Sequence, residues 1–511
     1  MAALQRFPVF PKAGVFRAAT STASAGRWFD ANLMRFDAGV ALPVGGNAAM
    51  PNADTDTPGR DILSWHSNDG KRWAVNGTDD ALTVYCFNDQ TLRDITPAGM
   101  APLDPPGAVV GFGIGAYGME AFGTARSSAN IGITDISPSF GDAWSLDLFG
   151  EDLLFVGTQD GRLFRWSPSA PDTAPAVVPN APIANRAVVV TEERHVVLLG
   201  AGGNPRNVAW SDQEEPEVWT PLVDNLAGDK LLETEGRSMI ARRVASGVLI
   251  LTDNDVHLMK YLGPPYAYGM NRIGENCGIA SLRAISQAGG TTVWLGLQTF
   301  WQYTGSVSPL DCEVGDWLFS NINRDYVGRI FGAPNPRYGE HWFFWPDLGS
   351  TECNRYVVVS YTDKTLPWTI GQMSRSAGDM RAAMMRPLLA GQDGKLYLHE
   401  YGNTDNGASR VGKVWLETAD VVGGEGDLRQ HIRQVMQDFE GAPASVGYRF
   451  FFWEEADGEV YDTGVIPISN PSGLTDCEFS CRGFRMRIEA LTDAPFKVGR
   501  TRLLRRPGGR I

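Results

Sequence analysis

The stretch VVLLGAGGNPRNVAWSDQEEPEVWTP, residues 196–221, is the part of the sequence from which we infer the fold. It starts with an apolar run of strand length, passes through a cluster of Gly, Asn and Pro, and closes a second short run at Trp210. Apolar runs separated by such turn-forming residues are typical of strands joined by a tight turn. The stretch therefore predicts a β-hairpin, followed by an acidic loop that ends near Trp219.

The same layout recurs along most of the chain, and seven such units can be counted. Successive spacings are 43, 52, 45, 48 and 47 residues between the equivalent positions Leu154, Val197, Leu249, Trp294, Trp342 and Leu389. A unit centred on Trp73 lies 81 residues before Leu154, so the sequence between them contains an insertion. A repeat of about 40 to 50 residues is typical of the four-stranded blades of a β-propeller.

Turn chemistry and composition agree with this interpretation. The pairs Asp160-Gly161 and Asp393-Gly394 suit the positive φ angles of two-residue hairpins. With 58 glycines and 31 prolines placed between short apolar runs, the sequence favours an all-β fold over an α/β fold. Because one unit cannot bury its apolar face alone, the units are expected to stack around an axis. We expect an all-β protein: a β-propeller of about seven blades with a small additional C-terminal β-domain.

The sequence indicates three regions. Residues 1–60 are expected to form an extended arm and the strands that close the propeller. Residues 61–405 would form the propeller, with a Gly- and aromatic-rich insertion near residues 107–128, and residues 406–511 a β-rich domain with a basic tail. One segment, DLRQHIRQVMQDF at residues 427–439, indicates a helix.

Apolar runs and cysteines limit the cellular setting. No apolar run reaches the roughly 18 residues of a membrane span, and the N-terminal residues lack the core of a signal peptide. We therefore expect synthesis in the cytosol and no membrane span. The six cysteines are sparse, which favours reduced thiols over a disulfide framework. Cys477 and Cys481 are expected on one face of a strand as buried thiols, not as metal ligands.

The net charge of −14 is unevenly distributed. From Arg482 onward nine Lys and Arg residues face two acidic ones, so this segment carries +7 and the rest of the chain −21. A basic tail on an acidic body is suited to docking on another copy of the chain or on an acidic partner. Basic residues that guard a solvated edge strand are an equally good interpretation.

No catalytic or metal-binding motif is found. The sequence has no nucleophile elbow, zincin motif, P-loop or paired-cysteine zinc pattern, and its six histidines are scattered over different repeats. The segment SNDGKRW, residues 67–73, is one residue too short for the aspartate box of sialidase-like blades. We therefore expect no enzymatic activity, no metal and no cofactor.

The glycine-rich run GFGIGAYGMEAFGT, residues 111–124, contains a formal G-x-G-x-x-G. The residues that follow lack the amphipathic helix that a dinucleotide site requires. Phe112, Tyr117 and Phe122 instead alternate with glycines, which predicts a loop whose aromatic rings pack on another surface. We take these three rings as candidate assembly contacts.

Three segments resemble a known family. These are AWSDQEEPEVWTP (209–221), LILTDNDVHLMKYLGPPYAYGMNRIGENCGIAS (249–281) and VWLGLQTFWQYTGSVSPLDCEVGDWLFSNIN (293–323). Together with GRWFDANLMRF at residues 26–36, they are similar to the propeller proteins of tailed-phage tails, especially the nozzle or hub (tail stabilisation, head-completion) proteins of short-tailed phages. The resemblance extends over nearly the whole chain, in short motifs. The sequence at residues 266–268 departs from the one most common in the family.

This resemblance implies a structural virion protein of a phage tail, assembled in the cytoplasm of the bacterial host. Such proteins form homohexameric rings below the portal and the tail adaptor, extend the DNA channel, retain the packaged DNA until ejection, and anchor fibres, a needle or a plug. Genomic DNA would pass without sequence-specific binding, because an acidic body lacks the Lys and Arg clusters that hold phosphates. The candidate contacts with a neighbouring subunit are Arg485, Arg487, Arg500, Arg502, Arg505, Arg506 and Arg510.

Two other functions remain open from the sequence. One is a tail-tip propeller that binds a receptor or glycan, for which exposed Trp and Tyr on one face would be the sign. The other is a polysaccharide-degrading propeller with carboxylates gathered at one mouth, such as those of the acidic loop at residues 212–217. A reducing-sugar assay separates the two, because a binding protein releases no sugar.

Overall fold

The computed structural model describes residues 5–9, 11–106, 140–381, 383–423, 426–442, 444–455, 458–468 and 473–510. The regular secondary structure of these residues is almost entirely β-strand. The described helical elements are one short α-helix and two 3₁₀ turns, at α1 (Gly315–Asn321), Ala201–Gly203 and Arg324–Arg329. No helix in this part of the chain is long and apolar enough to cross a membrane.

Six short strands are described before the first blade. They are β1 (Gln5–Val9), β2 (Lys12–Val15), β3 (Arg27–Asn32), β4 (Met34–Asp37), β5 (Val40–Pro43) and β6 (Asn47–Ala49).

Within the described residues, seven four-stranded antiparallel sheets form the blades of a β-propeller. Blade 1 contains β7 (Gly59–His66), β8 (Arg72–Thr78), β9 (Leu82–Cys86) and β10 (Thr91–Asp94). Blade 2 contains β11 (Trp144–Phe149), β12 (Asp152–Gly157), β13 (Leu163–Trp166) and β14 (Ala176–Val177). Blade 3 contains β15 (Ala187–Val190), β16 (Val196–Leu199), β17 (Asn207–Trp210) and β18 (Gly228–Leu231). Blade 4 contains β19 (Ser238–Val244), β20 (Gly247–Thr252), β21 (Val256–Gly263) and β22 (Ala267–Gly274).

The last three blades repeat this order. Blade 5 contains β23 (Ile285–Ala288), β24 (Thr291–Leu295), β25 (Phe300–Tyr303) and β26 (Val307–Leu310). Blade 6 contains β27 (Phe331–Asn335), β28 (Glu340–Trp345), β29 (Arg355–Ser360) and β30 (Trp368–Gln372). Blade 7 contains β31 (Ala377–Gly378), β32 (Leu388–Ala390) and β33 (Leu396–His399), and its fourth strand is β6 from the beginning of the chain.

The propeller expected from the sequence is confirmed. The positions that defined the repeat all lie on the second strand of a blade, with 0 to 4% of their surface exposed: Trp73, Leu154, Val197, Leu249, Trp294, Trp342 and Leu389. Apolar side chains of neighbouring blades pack together, as in the edge-to-face contact of Trp73 in blade 1 with Trp166 in blade 2, at 5.7 Å between ring centroids. The sequence period therefore reflects the burial of one face of each blade against the next.

The ring is closed by pairing between distant parts of the chain. Strand β6 pairs antiparallel with β33, placing Asn47 opposite His399 and Ala49 opposite Tyr397. The innermost strand of blade 1, β7, contacts both β11 of blade 2 and β31 of blade 7. Closure of this kind removes the free edges that an open array would present to solvent.

The remaining strands form a second β-rich unit. They are β34 (Trp415–Thr418), β35 (Val421–Val422), β36 (Leu428–Met436), β37 (Phe439–Gly441), β38 (Val446–Trp453), β39 (Tyr461–Pro467), β40 (Leu474–Cys481), β41 (Gly483–Ala490), β42 (Phe496–Val498) and β43 (Thr501–Arg510). They form sheet A (β1-β43-β36-β40), sheet B (β2-β3-β34-β41-β38-β39, with β35 also on β41) and sheet C (β37-β42-β5-β4).

The first five strands of the chain are therefore part of this second unit. Strand β1 pairs with β43, so that Gln5 lies opposite Arg505 near the other end of the chain. Sheets A and B pack face to face, with Phe450 of β38 and Phe479 of β40 at 5.0 Å between ring centroids. We call this unit the C-terminal domain.

The helix expected at residues 427–439 is wrong, because the segment forms the strand β36. It lies between β43 and β40 and pairs with both. Gln430, Ile432 and Val435 are buried, with a bulge that shifts the alternation by one residue. Pairing on both edges of the strand outweighs the weak helix preference of the isolated segment.

The six cysteines are free thiols, as expected. Cys477 and Cys481 are buried on β40, and burial raises the pKa of each thiol to about 12. Such thiols are protonated and unreactive at neutral pH.

The buried second strands should dominate the stability of the propeller. We expect Leu249→Ala, at a fully buried position of β20, to lower the free energy of unfolding by about 2–5 kcal/mol. The matched control Leu222→Ala removes the same atoms from a side chain that is 61% exposed, and should change stability by about 0.5 kcal/mol or less. Urea denaturation followed by tryptophan fluorescence measures both, and equal effects would contradict the assignment of the core.

Candidate functional site

Charged side chains are concentrated at three places: the propeller axis, one end of the blades, and the junction with the C-terminal domain. At the axis, the innermost strands leave a cavity of about 100 Å³. Its lining includes Asp61, Asp147, Arg242, Arg243 and Arg381. Arg381 forms an ion pair with Asp147, and Arg243 lies 3.9 Å from the same carboxylate.

The axial charges are held in low-dielectric surroundings. Burial raises the pKa of Asp61 to about 6, although the nearby Arg283 and Arg242 oppose this shift. Burial lowers the pKa of Arg242, which donates to the carbonyl oxygen of Ala241 at 3.1 Å. These side chains fill the axis across several blades. The axial cavity of about 100 Å³ cannot admit a DNA duplex, because the major groove of a duplex alone is about 12 Å wide.

An arginine stands at the start of the innermost strand, or one or two residues before it, in six of the seven blades: Arg60, Arg186, Arg237, Arg283, Arg329 and Arg375. In blade 2 the corresponding residue is Asp142. This pattern was not predicted from the sequence. The recurrence of arginine at or just before six of the seven first strands was its signal in the aligned repeat.

Two of these arginines bind the same two carboxylates. Arg60 donates to Asp79 at 2.7 and 2.8 Å and to Glu352 at 2.7 and 2.8 Å. Arg329 lies 3.3 Å from Asp79 and 3.7 Å from Glu352. Burial alone would lower the pKa of Arg60, but the hydrogen bonds that it donates to Glu352 and Asp79 raise it. This network connects blade 1 with the loop between β28 and β29 of blade 6.

The junction with the C-terminal domain contains a buried charge cluster. Arg35 of β4 is 1% exposed, lies 3.0 Å from Glu340 of β28, and also forms an ion pair with Glu400 beyond β33. Asn335 donates to both carboxylates at 3.0 and 3.1 Å, and the guanidinium lies 3.7 Å from the ring centroid of Tyr338. Burial raises the pKa of Glu340, and Arg35 opposes this effect. We call Arg35, Glu340, Glu400 and Asn335 the junction cluster.

A second arginine strengthens the same junction through backbone contacts. Arg410 is buried and donates to the carbonyl oxygens of Asn403, Val44 and Gly45 at 2.7, 2.8 and 3.0 Å. The N–H of Gly45 in turn donates to Glu400 at 3.1 Å. A Cβ atom at Gly45 would overlap the Glu400 carboxylate, so this approach requires glycine.

The structure divides the predicted assembly contacts between two sheets. Arg485 and Arg487 lie on β41 of sheet B, and both form ion pairs with Glu417, at 3.1 and 2.6 Å. Arg487 also lies over the ring of Trp415, at 4.2 Å from its centroid. These two arginines therefore already have partners within the chain.

The other predicted arginines belong to sheet A or to the turn that leads into it. Arg500 precedes β43 and donates its backbone N–H to Asp438 at 2.9 Å. Arg502 is exposed on β43, whereas Arg505 lies 3.9 Å from the ring centroid of Phe7 and donates to Gln430 at 2.6 Å. Arg506 is half-buried on the same strand.

Strand β43 ends at Arg510, which pairs with Leu428. Arg485 and Arg487 thus belong to a different sheet from the arginines on and beside β43. Phe112, Tyr117 and Phe122 lie outside the described residues.

The described histidines and carboxylates form no metal-binding cluster. No group of three or more His, Cys, Asp or Glu side chains in this part of the chain is placed to hold a metal ion. His341 lies between the hydroxyls of Ser286 and Thr291 at 2.9 and 2.8 Å, and burial lowers its pKa to about 3. It is therefore a neutral imidazole that joins blades 5 and 6.

Comparisons with known proteins add similarity to two solved structures. No family model matches the chain, and the search of curated proteins found no significant match. The WD40 domain of Pan2 from Neurospora crassa is 9% identical with a TM-score of 0.40, over 71% of this chain and 96% of that one. YCF48 from Cyanidioschyzon merolae is 10% identical with a TM-score of 0.39, over 70% of this chain and 98% of that one. The chain belongs to the class of β-propeller proteins on the topology of its own seven blades.

The junction cluster should be essential for stability. We expect Arg35→Met to lower the free energy of unfolding by about 3–5 kcal/mol, because Glu340 and Glu400 would remain buried without their counter-charge. The double variant Arg35→Met/Glu340→Gln should lose less, since one of the two uncompensated charges is also removed.

The control is Arg429→Met, which breaks the ion pair with Glu454, where both side chains are nearly half exposed. Its effect should be about 0.5 kcal/mol or less. Urea denaturation at pH 7 measures all three variants. A loss of similar size for Arg35→Met and Arg429→Met would contradict the role of the cluster.

The axial carboxyl of Asp61 should make stability depend on pH. Its pKa of about 6 in the folded protein exceeds the ordinary 3.8, so its protonated form is favoured and stability falls as pH rises from about 4 to 6. Asp61→Asn imitates the protonated form. Its advantage over the natural protein should grow from near zero at pH 4 to about 2–3 kcal/mol at pH 7.

Urea denaturation across this pH range measures the difference. Asp229→Asn removes the same charge from the exposed strand β18 and controls for net charge. A difference that stays constant with pH would show that Asp61 does not titrate in this window.

Proposed function

We propose that the protein is a structural component of a phage tail, of the nozzle or hub type. It forms a ring of identical copies below the portal and adaptor, continues the DNA channel, retains the packaged DNA and anchors fibres, a needle or a plug. The resemblance of the chain to the propeller proteins of short-tailed phages suggests this identity. The junction cluster carries the proposal physically, because it fastens two β-rich units into one body.

Both ends of the described chain are tied into this body. The first strand pairs with the last, and β6 closes the propeller. Arg410 binds three backbone carbonyls contributed by segments on both sides of the junction. A body with paired ends and buried ion pairs between its parts is suited to transmit force without opening. This is what a ring that holds DNA under strain requires.

The DNA path in this proposal runs between subunits. Side chains fill the axis of the propeller itself, so a duplex must pass through a bore enclosed by several copies. The net charge of −14 supports this role, since a mainly acidic wall repels phosphates and lets DNA slide. We propose six copies, as the resemblance implies.

The proposed subunit contact uses the basic strand β43. Arg502 and Arg506 lie on the same side of sheet A, and β40 at the far edge of this sheet carries Asp476 and Glu478, which are exposed. A sheet that is basic near one edge and acidic at the other suits head-to-tail contact between copies, the type of interface that closes into rings.

Electron microscopy tests the proposal. Gold-tagged antibody against this chain should label the lower half of the tail on phage particles, in a six-fold arrangement. Absence of label from every particle would contradict the assignment to the virion.

The subunit contact has its own test, which uses purified protein. Purified protein should form rings in negative stain, and Arg502→Gln/Arg506→Gln should shift the population to monomers in sedimentation velocity at about 0.1 M salt, where surface charges still interact over about 10 Å. Arg72→Gln, at an exposed position of blade 1, is the control and should leave assembly unchanged. Unaltered rings in the double variant would remove β43 from the interface without affecting the antibody result.

A further inference from the structure

The cleft between the propeller and the C-terminal domain has the features of a ligand site. Its volume is about 630 Å³, within the range of about 300–1,000 Å³ usual for small-molecule sites. The propeller lines it with the β27–β28 turn and the segments beside β32 and β33, and the C-terminal domain with β5, β37 and the residues before β42.

The carboxylates of this cleft already have partners within the chain. Glu400 belongs to the junction cluster, Glu440 lies 3.0 Å from Lys497, and Asp493 accepts the backbone N–H of Arg410 at 2.7 Å. Glu400 and Glu440 therefore have cationic partners, and Asp493 has a backbone hydrogen-bond donor.

Two guanidinium groups of the cleft differ in this respect. Within the described residues, neither Arg337 nor Arg386 forms an ion pair with a carboxylate. Arg386 donates to the backbone carbonyl of Glu400 at 3.1 Å, and Arg337 is exposed. Although the protein as a whole is acidic, this cleft is thus locally cationic.

Aromatic rings lie beside both arginines. Arg337 lies 5.6 Å from the ring centroid of Tyr338, and Arg386 lies 5.6 Å from that of Tyr401. Tyr401 is 55% exposed, so its ring is open to a ligand. Asn403 and Thr492 also line the cleft and add side chains that hydrogen-bond to hydroxyl groups.

We propose that this cleft binds an acidic oligosaccharide. The arginines would bind carboxylates of the sugar, for which the guanidinium group has matching geometry. The ring of Tyr401 would pack against the apolar face of a sugar ring, and the amide and hydroxyl side chains would bind sugar hydroxyls. The proposal rests on the cleft alone and stands independently of the role in a phage tail.

The geometry favours this ligand over a peptide or a nucleic acid. Among the described lining elements, β37 is a sheet edge, but with three residues it is too short for a peptide to add as a strand. Two unpaired arginines on an acidic protein neutralise few phosphates, whereas tight nucleic-acid binding requires many. A chain with one carboxylate on each sugar or every second sugar matches this sparse positive charge better.

Glycan-array screening and calorimetry with the full-length protein test the proposal. The array should include oligomers of galacturonate, guluronate, glucuronate-containing disaccharides and sialic acid, with maltotetraose as a neutral comparison and oligo-dT as a nucleic-acid comparison. At least one acidic oligosaccharide should bind more tightly than both. Failure of every acidic glycan to bind, or tighter binding of oligo-dT, would overturn the proposal.

Variants locate the site. Arg337→Gln, which alters an exposed side chain, and Tyr401→Ala should each weaken the best ligand of the array at least tenfold, and Arg337→Gln/Arg386→Gln further. Arg72→Gln is the matched control and should bind as the natural protein does. Circular dichroism and thermal denaturation verify that each variant is folded. Full affinity in the folded Arg337→Gln and Tyr401→Ala variants would exclude the cleft.

Discussion

The burial of Arg35 between Glu340 and Glu400 is the interaction on which the relation of the two units depends. A guanidinium taken out of water loses its hydration, and only close carboxylates and further hydrogen bonds compensate for this loss. Here one carboxylate comes from blade 6, the other from the end of blade 7, and the arginine from a strand of the C-terminal domain. The charges are satisfied only when all three segments are in place, so the cluster specifies one arrangement of the two units.

Chain topology reinforces this electrostatic constraint. The segment between β5 and β6 passes from the C-terminal domain to the last blade, and Gly45 and Arg410 hold it by backbone hydrogen bonds. Closure of the propeller by β6 therefore also draws the N-terminal strands against β30 of blade 6, which β3 and β4 contact. Ring closure and docking of the domain are two results of the same short segment.

The same architecture leaves a polar cleft beside the junction. The cleft lies between the two units beside this cluster, and its lining includes guanidinium groups that form no ion pair within the described residues. These are Arg337 and Arg386, from the turns of blades 6 and 7. At the propeller axis, in contrast, side chains from several blades converge and satisfy much of one another's charge.

The sequence by itself determined the blades, because six of the seven described blades consist wholly of strands that follow one another in the chain. Apolar residues and turn signals then recur at the blade period, so the repeat alone places positions such as Val197 and Trp294 in the core. The free thiols followed from composition in the same way.

Only the tertiary structure decided that residues 427–439 form a strand, since its partners β40 and β43 lie elsewhere in the chain. The same holds for the pairing of β1 with β43, the junction cluster and the cleft. Each joins residues hundreds of positions apart, and no local pattern of charge or hydrophobicity records such a contact.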